Sequence, residues 1–190
     1  MTASPFVERI IDKYVNNEEL KRLLIAHSRC VGVKALEIAE KKHLESKIDL
    51  QFVFDAALLH DIGVVKCDAP GILCFGQLPY ICHGVAGGEI LKGEGIDEKY
   101  VRVCERHTGS GLTAEEISRR GLPLPSKDFL PETTEEKLIC YADKFFSKSG
   151  DPTQEKLRER IMASMAKHGP EAIGRFIVLD KEFGEPEPRP

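Results

Sequence analysis

The chain has no tryptophan, and aromatic residues make up only 7% of its 190 residues. It has no excess of positive charge. A formal net charge of -4 offers no general attraction to a nucleic-acid backbone or an anionic membrane, and any phosphate must be held locally. No apolar run reaches membrane-spanning length, and Met1 to Glu8 lacks a basic stretch followed by an apolar one, so a cytoplasmic protein is expected. Six cysteines are present, but no two form a Cys-x-x-Cys pair. A chain of this length needs no disulfide staples, so the thiols are expected to be reduced and mostly buried, and the uneven Cys67, Cys74 and Cys82 do not suggest a soft-metal site. No period-two segment and no internal repeat can be found.

What is present is an ordinary globular composition, 42% hydrophobic and 31% charged, with helical signals throughout. Ser4-Pro5 reads as a helix start, with Phe6, Val7, Ile10, Ile11 and Tyr14 forming a stripe behind it. Asn17 opens a second helical pattern that runs to about Lys42, with a break expected near His27 and Ser28 as a cap beyond it. Asp49 caps the apolar segment from Phe52 to Leu59. Val64 to Ile81 reads as a loop over a pocket, not a strand. Helix resumes at the glycine-rich His83 to Leu91, where the small residues suggest close packing. Asp97 starts a further helix ending near His107, capping boxes lie at Thr113/Glu116 and Thr133/Glu136, Asp151-Pro152 starts another helix, and Gly169-Pro170 precedes the last. The expectation is an all-α domain over residues 1–184 with a metal-binding core at about 20–148, C-terminal helices at about 152–180 and a frayed tail at 185–190.

The chemistry gathers at helix ends. The apolar segment runs into His60-Asp61, and a carboxylate placed there is partly desolvated and needs a cation or several donors to stay ionised. His27, His83 and His107 also lie at or next to expected helix boundaries, and Asp143 shares a helix face with Ile139 and Phe146. His43 and His168 sit in charged surroundings. Six nitrogen and oxygen ligands without a thiolate suit Mn, Fe, Co, Ni or Zn, and are enough for two ions sharing a bridging group.

The ordered pattern His27, His60-Asp61, His83, His107, Asp143 resembles the HD-domain superfamily of metal-dependent phosphohydrolases, and Leu59-His60-Asp61-Ile62-Gly63 is similar to its HDIG version. The resemblance covers about residues 20–148 and implies an HD-domain-like helical bundle. The two middle histidines resemble the members that hold a dinuclear centre, which implies that Asp61 bridges the metals and is the catalytic centrepiece. His27, His60 and Asp143 would complete one site, and His83 with His107 the other. Many relatives carry a phosphate-contacting lysine directly after HDxG, where this chain has Val64. Lys66, Arg106 and Lys144 are then the candidate substrate-binding cations.

The expected function is hydrolysis of a phosphoester or phosphoanhydride in a nucleotide or related small metabolite by metal-activated hydroxide. A diiron oxygenase and a non-catalytic nucleotide-binding sensor are the alternatives. The loop from Cys67 to Tyr80, with Phe75, Gln77 and Tyr80, is expected to help choose the substrate. The Thr108 to Gly111 turn could offer amides to a phosphate, although an ordinary helix C-terminus explains it as well. No membrane or nucleic-acid partner is expected, and nothing fixes the oligomeric state.

Overall fold

A computed structural model describes residues 1–184; the expected frayed tail at 185–190 lies outside them. Among the described residues there are nine α-helices: α1 (Pro5–Tyr14), α2 (Glu18–Lys41), α3 (Leu50–Leu59), α4 (His83–Gly93), α5 (Glu98–Arg106), α6 (Ala114–Arg119), α7 (Thr134–Asp143), α8 (Arg158–Ala166) and α9 (Pro170–Phe183). No described helix is long and apolar enough to cross a membrane.

Local chemistry sets most helix starts. Asn17 accepts from the amides of Glu19 and Leu20, Asp49 from Phe52 and Asp97 from Lys99, each satisfying amides that the first turn leaves without partners. Thr113/Glu116 and Thr133/Glu136 both form reciprocal capping boxes. Ser4 occupies the position before α1 but spends its hydroxyl elsewhere. It donates 2.5 Å to Asp55, the polar member of the apolar segment, whose carboxylate also accepts the Ser4 amide. That contact ties α1 to the side of α3.

Helices α2, α3, α5 and α7 surround the core, with Phe54, Leu59, Val31, Leu138 and Ile139 buried between them. Glycines let α4 come close. A Cβ at Gly84 would stand 2.6 Å from the carbonyl oxygen of Cys104 on α5, and one at Gly88 2.8 Å from the Glu105 side chain. A lesser cluster of Leu112, Ile117 and Phe129 sits under the 121–131 connection. The six thiols are unpaired, five of them buried.

Three expectations are corrected. The break near His27 is absent: Leu20, Leu24, His27 and Val31 share one buried stripe of a continuous α2, so the imidazole replaces an apolar side chain without disturbing the helix. Asp151-Pro152 does not start a helix, because Asp151 accepts from the amide and hydroxyl of Thr153 in a local turn, and α8 begins at Arg158. The loop after His60-Asp61 contains a short antiparallel hairpin, β1 (Asp68–Ala69) against β2 (Cys74–Phe75), which two-residue strands could not announce by alternation.

Two buried carboxylates brace the bundle from outside the core. Burial works to raise Glu105 and Glu116. Lys127 and Lys92 around Glu105, and Arg175 with Thr113 around Glu116, outweigh it and hold both below the usual glutamate range. Each therefore takes up its proton at lower pH when folded than when unfolded, and its stabilisation is present above the unfolded value near 4.5 and lost as pH falls through the folded one. Urea midpoints are expected to fall steadily from about pH 5 to about pH 3, less steeply in Glu105→Gln; a wild-type midpoint flat across that range contradicts this account.

Candidate metal centre

At the end of α3 the backbone leaves the helix at Asp61 (φ -103°, ψ 7°) and enters a 3-10 turn, Ile62–Lys66. His60 thus caps the end of α3 and Asp61 leads into the turn, and both are buried. Helix α2 contributes His27 from its buried stripe, α7 contributes Asp143 from its last turn, and His83 and His107 stand at the start of α4 and the end of α5. Gly63 is what admits α4. A Cβ there would lie 2.0 Å from the His83 carbonyl oxygen and 2.2 Å from the Gly87 nitrogen, both backbone atoms.

The six side chains form two groups that meet at one carboxylate: His27, His60, Asp61 and Asp143, and Asp61, His83 and His107. Asp61 Oδ2 faces the first group, 3.2 Å from His27 Nε2 and 3.0 Å from His60 Nε2. Its Oδ1 faces the second, 3.5 Å from His83 Nε2 and 3.4 Å from His107 Nε2. Asp143 Oδ1 closes the first group at 3.1 Å from His27 Nε2 and 3.4 Å from His60 Nε2.

Hydrogen bonds on the far side of the rings fix what they present. His60 Nδ1 lies 2.6 Å from the Ala57 carbonyl, His83 Nδ1 2.7 Å from that of Tyr80, and His107 Nδ1 2.8 Å from that of Cys104. A carbonyl accepts only, so each Nδ1 carries a proton, and in the neutral ring each Nε2 turns a lone pair inward. His83 Nε2 and His107 Nε2 then face each other at 2.9 Å with no proton to share, and His60 Nε2 and Asp61 Oδ1 have no hydrogen-bond partner. Buried acceptors arranged this way repel one another unless a cation sits among them, and nitrogen with carboxylate oxygen is a donor set that divalent transition metals take. The residues fit two such ions.

The charges agree. Burial would raise Asp61 and Asp143, but His60 and Lys148 around the first, and Lys144 with His27 around the second, hold both carboxyls well below the usual range. Burial would lower His60, yet Asp61 and Asp143 push it up to about 9, so between the two carboxylates its Nε2 holds a proton that a bound cation would have to displace. His83 is pushed down to about 3 by burial and by His107, and His107 is lowered by burial too.

Lys148, which sequence reasoning did not single out, places Nζ 2.5 Å from Asp61 Oδ2 and is raised, burial notwithstanding, by Asp61 and Asp143. It lies in the irregular segment after α7, where no periodicity marks which side chains turn inward. Lys144 is buried, 2.7 Å from Asp143 Oδ2, and donates to the His107 carbonyl. Val64 is fully buried. Lys66 is exposed, and Arg106 is engaged by Glu132 and Glu136 at the start of α7. Ser110 donates its hydroxyl to the Ala172 carbonyl, and Tyr80 stacks on the His83 ring with centroids 4.7 Å apart. Phe75, paired with Asp68 at the open end of the hairpin, is 72% exposed.

Two cavities open beside the centre, one of about 500 Å³ and one of about 310 Å³, and both are lined by Tyr80, Asp143, Lys144, Lys148 and His168. Sites of this size take small metabolites.

A helical bundle that brings four imidazoles and two carboxylates together, with Asp61 common to both groups, presents two buried His/Asp clusters consistent with divalent metal binding. The chain belongs to the HD domain family, whose model matches residues 24–147. It is 34% identical over 161 residues to an uncharacterized protein of Methanocaldococcus jannaschii, an alignment covering 84% of this chain and 87% of that one. It is also similar to two proteins described as tRNA (cytidine(56)-2'-O)-methyltransferase. The one from Picrophilus torridus is 39% identical over 133 residues, covering 70% of this chain and 34% of the relative. The one from Thermoplasma volcanium is 37% identical over 158 residues, covering 83% and 41%. The chain thus spans about a third to two-fifths of the length of these methyltransferases. Among solved structures, the HD domain of the Listeria monocytogenes phosphodiesterase PgpH, in complex with cyclic-di-AMP, has the same fold. Its TM-score is 0.50 at 16% identity, covering 98% of this chain and all of that one.

Proposed function

We propose that this protein is a metal-dependent phosphohydrolase that cleaves a phosphoester or phosphoanhydride bond in a nucleotide or related small phosphorylated metabolite. The observation that carries the reading is the division of Asp61, one oxygen toward each histidine group, beside a cavity lined by lysines. When bound, a pair of divalent ions lowers the pKa of water enough to supply hydroxide near neutral pH and polarises a phosphoryl oxygen. The rest is done by the chain. Asp61 would hold both ions, with His27, His60 and Asp143 completing one shell and His83 with His107 the other. The carbonyls of Ala57, Tyr80 and Cys104 keep three of the rings in the ligating tautomer.

Lys148 and Lys144 reach the cavity from the carboxylates of the centre, where an ammonium neutralises charge that builds on a phosphate or its leaving group. They supply the cation that Val64, packed in the core, does not. With Lys66 exposed and Arg106 held by two glutamates, the phosphate contact rests on these two lysines. Tyr80, stacked on His83, shields that ring from bulk water. A nucleotide is the proposed ligand class, as cyclic-di-AMP is for the Listeria domain. The methyl transfer named for the longer relatives is not part of this proposal.

The test combines elemental analysis of the purified protein with a panel of nucleotides under Mn, Fe, Co, Ni and Zn. Close to two ions per chain and turnover of at least one nucleotide under anaerobic conditions are expected. A metal-loaded protein inert on the whole panel would overturn the reading, and turnover only in air would indicate oxygen chemistry instead.

A further inference from the structure

The larger cavity is lined by three lysines, Lys144, Lys148 and Lys156, and among the described residues Asp143 is the one acidic residue in its wall. Lys144 and Lys148 are engaged with Asp143 and Asp61. Lys156 is not. Among the described residues no carboxylate lies within ion-pair distance of it, although it is half-buried and lines the cavity. The neighbouring Glu155 does not compensate, because its carboxylate pairs at 2.5 Å with Lys34 on α2.

The position of Lys156 is built into the fold. Its amide donates 2.7 Å to the Phe145 carbonyl, which pins the 144–157 segment back against the end of α7, and the Lys34–Glu155 pair fastens the adjacent residue. The cavity therefore carries positive charge beyond what the centre neutralises. Burial lowers the Lys156 pKa, and Lys144 and Lys148 push it the same way against Asp143, as a positive field requires. Ser147 and Ser164 add hydroxyls to the wall, while Ile161 and Met165 make an apolar side. Three cations, hydroxyl donors and about 500 Å³ describe a place for an anion larger than one phosphate can fill when that phosphate sits at the centre.

We propose that Lys156 binds a second phosphate group of the substrate, so that the preferred substrates carry at least two phosphates, one at the centre and one on Lys156. Phosphoanhydrides, bisphosphorylated nucleotides and dinucleotides meet that requirement; simple phosphate monoesters do not. The proposal rests on the phosphohydrolase reading for its naming of a substrate but on geometry for the anion site itself.

The experiment is calorimetric titration of orthophosphate and of inorganic pyrophosphate into the metal-loaded protein, with the free metal ion held at one saturating level throughout. Pyrophosphate is expected to bind the wild type at least about tenfold more tightly than orthophosphate, and Lys156→Gln to remove most of that margin. Lys156→Arg keeps the charge and is expected to restore it. Melting curves of both variants check that the fold is retained. Equal affinity for the two anions in the wild type, or a margin that survives in folded Lys156→Gln, overturns the proposal. The outcome is separable from that of the hydrolase reading. A pyrophosphate margin that depends on Lys156, in a protein without turnover, would sink hydrolysis and leave the anion site standing; turnover with Lys156 indifferent would do the reverse.

Discussion

Asp61→Ala is expected to empty both halves of the centre at once, and to lower any phosphohydrolase turnover by more than about a hundredfold, a loss beyond that of removing a residue which only orients a ligand. The reason is the division of its oxygens: Oδ2 belongs to the group with His27, His60 and Asp143, and Oδ1 to the group with His83 and His107. Among the described residues no other side chain belongs to both groups. His107→Ala should by contrast remove one ion and leave the first group able to hold the other. Alanine at 61 also leaves the Lys148 ammonium without its nearest carboxylate, so part of its effect falls on stability. Asp61→Asn separates the two effects. It keeps the shape and one acceptor oxygen but loses the charge and turns an NH₂ toward lone pairs, so it should fold and still lose metal. Metal content near two per chain in folded Asp61→Asn would contradict the shared-ligand account.

The helix starts were legible because a cap is a local event: Asn17, Asp49, Asp97, Thr113 and Thr133 all bond amides two or three residues ahead. The six clustered residues could be named because each is a polar side chain on a buried face or at a helix end, in the order that resembles the HD-domain superfamily. Tertiary structure decided the rest. A histidine in an apolar stripe reads as a break, yet that stripe faces the cluster of imidazoles and carboxylates, where a polar ring is accommodated. Asp151-Pro152 has the letters of a helix start, but Thr153 captures the carboxylate while the Phe145 carbonyl and Lys34 hold the following residues in a returning segment. Lys148 and Lys156 reach the cavity only because that segment returns, so no spacing in the sequence distinguishes them from surface lysines.

Gly63→Ala is expected to damage the protein more than most single added methyl groups. The sequence suggests a residue that lets the chain leave a helix; the structure gives a different reason. Its φ is not in the left-handed region, so alanine meets no backbone penalty of that kind. The obstacle is that a Cβ would stand 2.0 Å from the His83 carbonyl oxygen and 2.2 Å from the Gly87 nitrogen. Neither is the tip of a flexible side chain, so no rotamer change relieves the overlap, and α4 must move away from the Ile62–Lys66 turn. A cost of about 3 kcal/mol or more follows from overpacking against backbone, or a fall in melting temperature of roughly 6–12 °C for a chain of this size. Because α4 carries His83, the half of the centre made with His107 should weaken while His27, His60 and Asp143 keep their places. Gly71→Ala is the matched control, since a Cβ there meets nothing within 4 Å, and its stability should stay within about 0.5 kcal/mol of wild type. If both variants melt alike and bind metal alike, the close approach of α4 is not what positions His83.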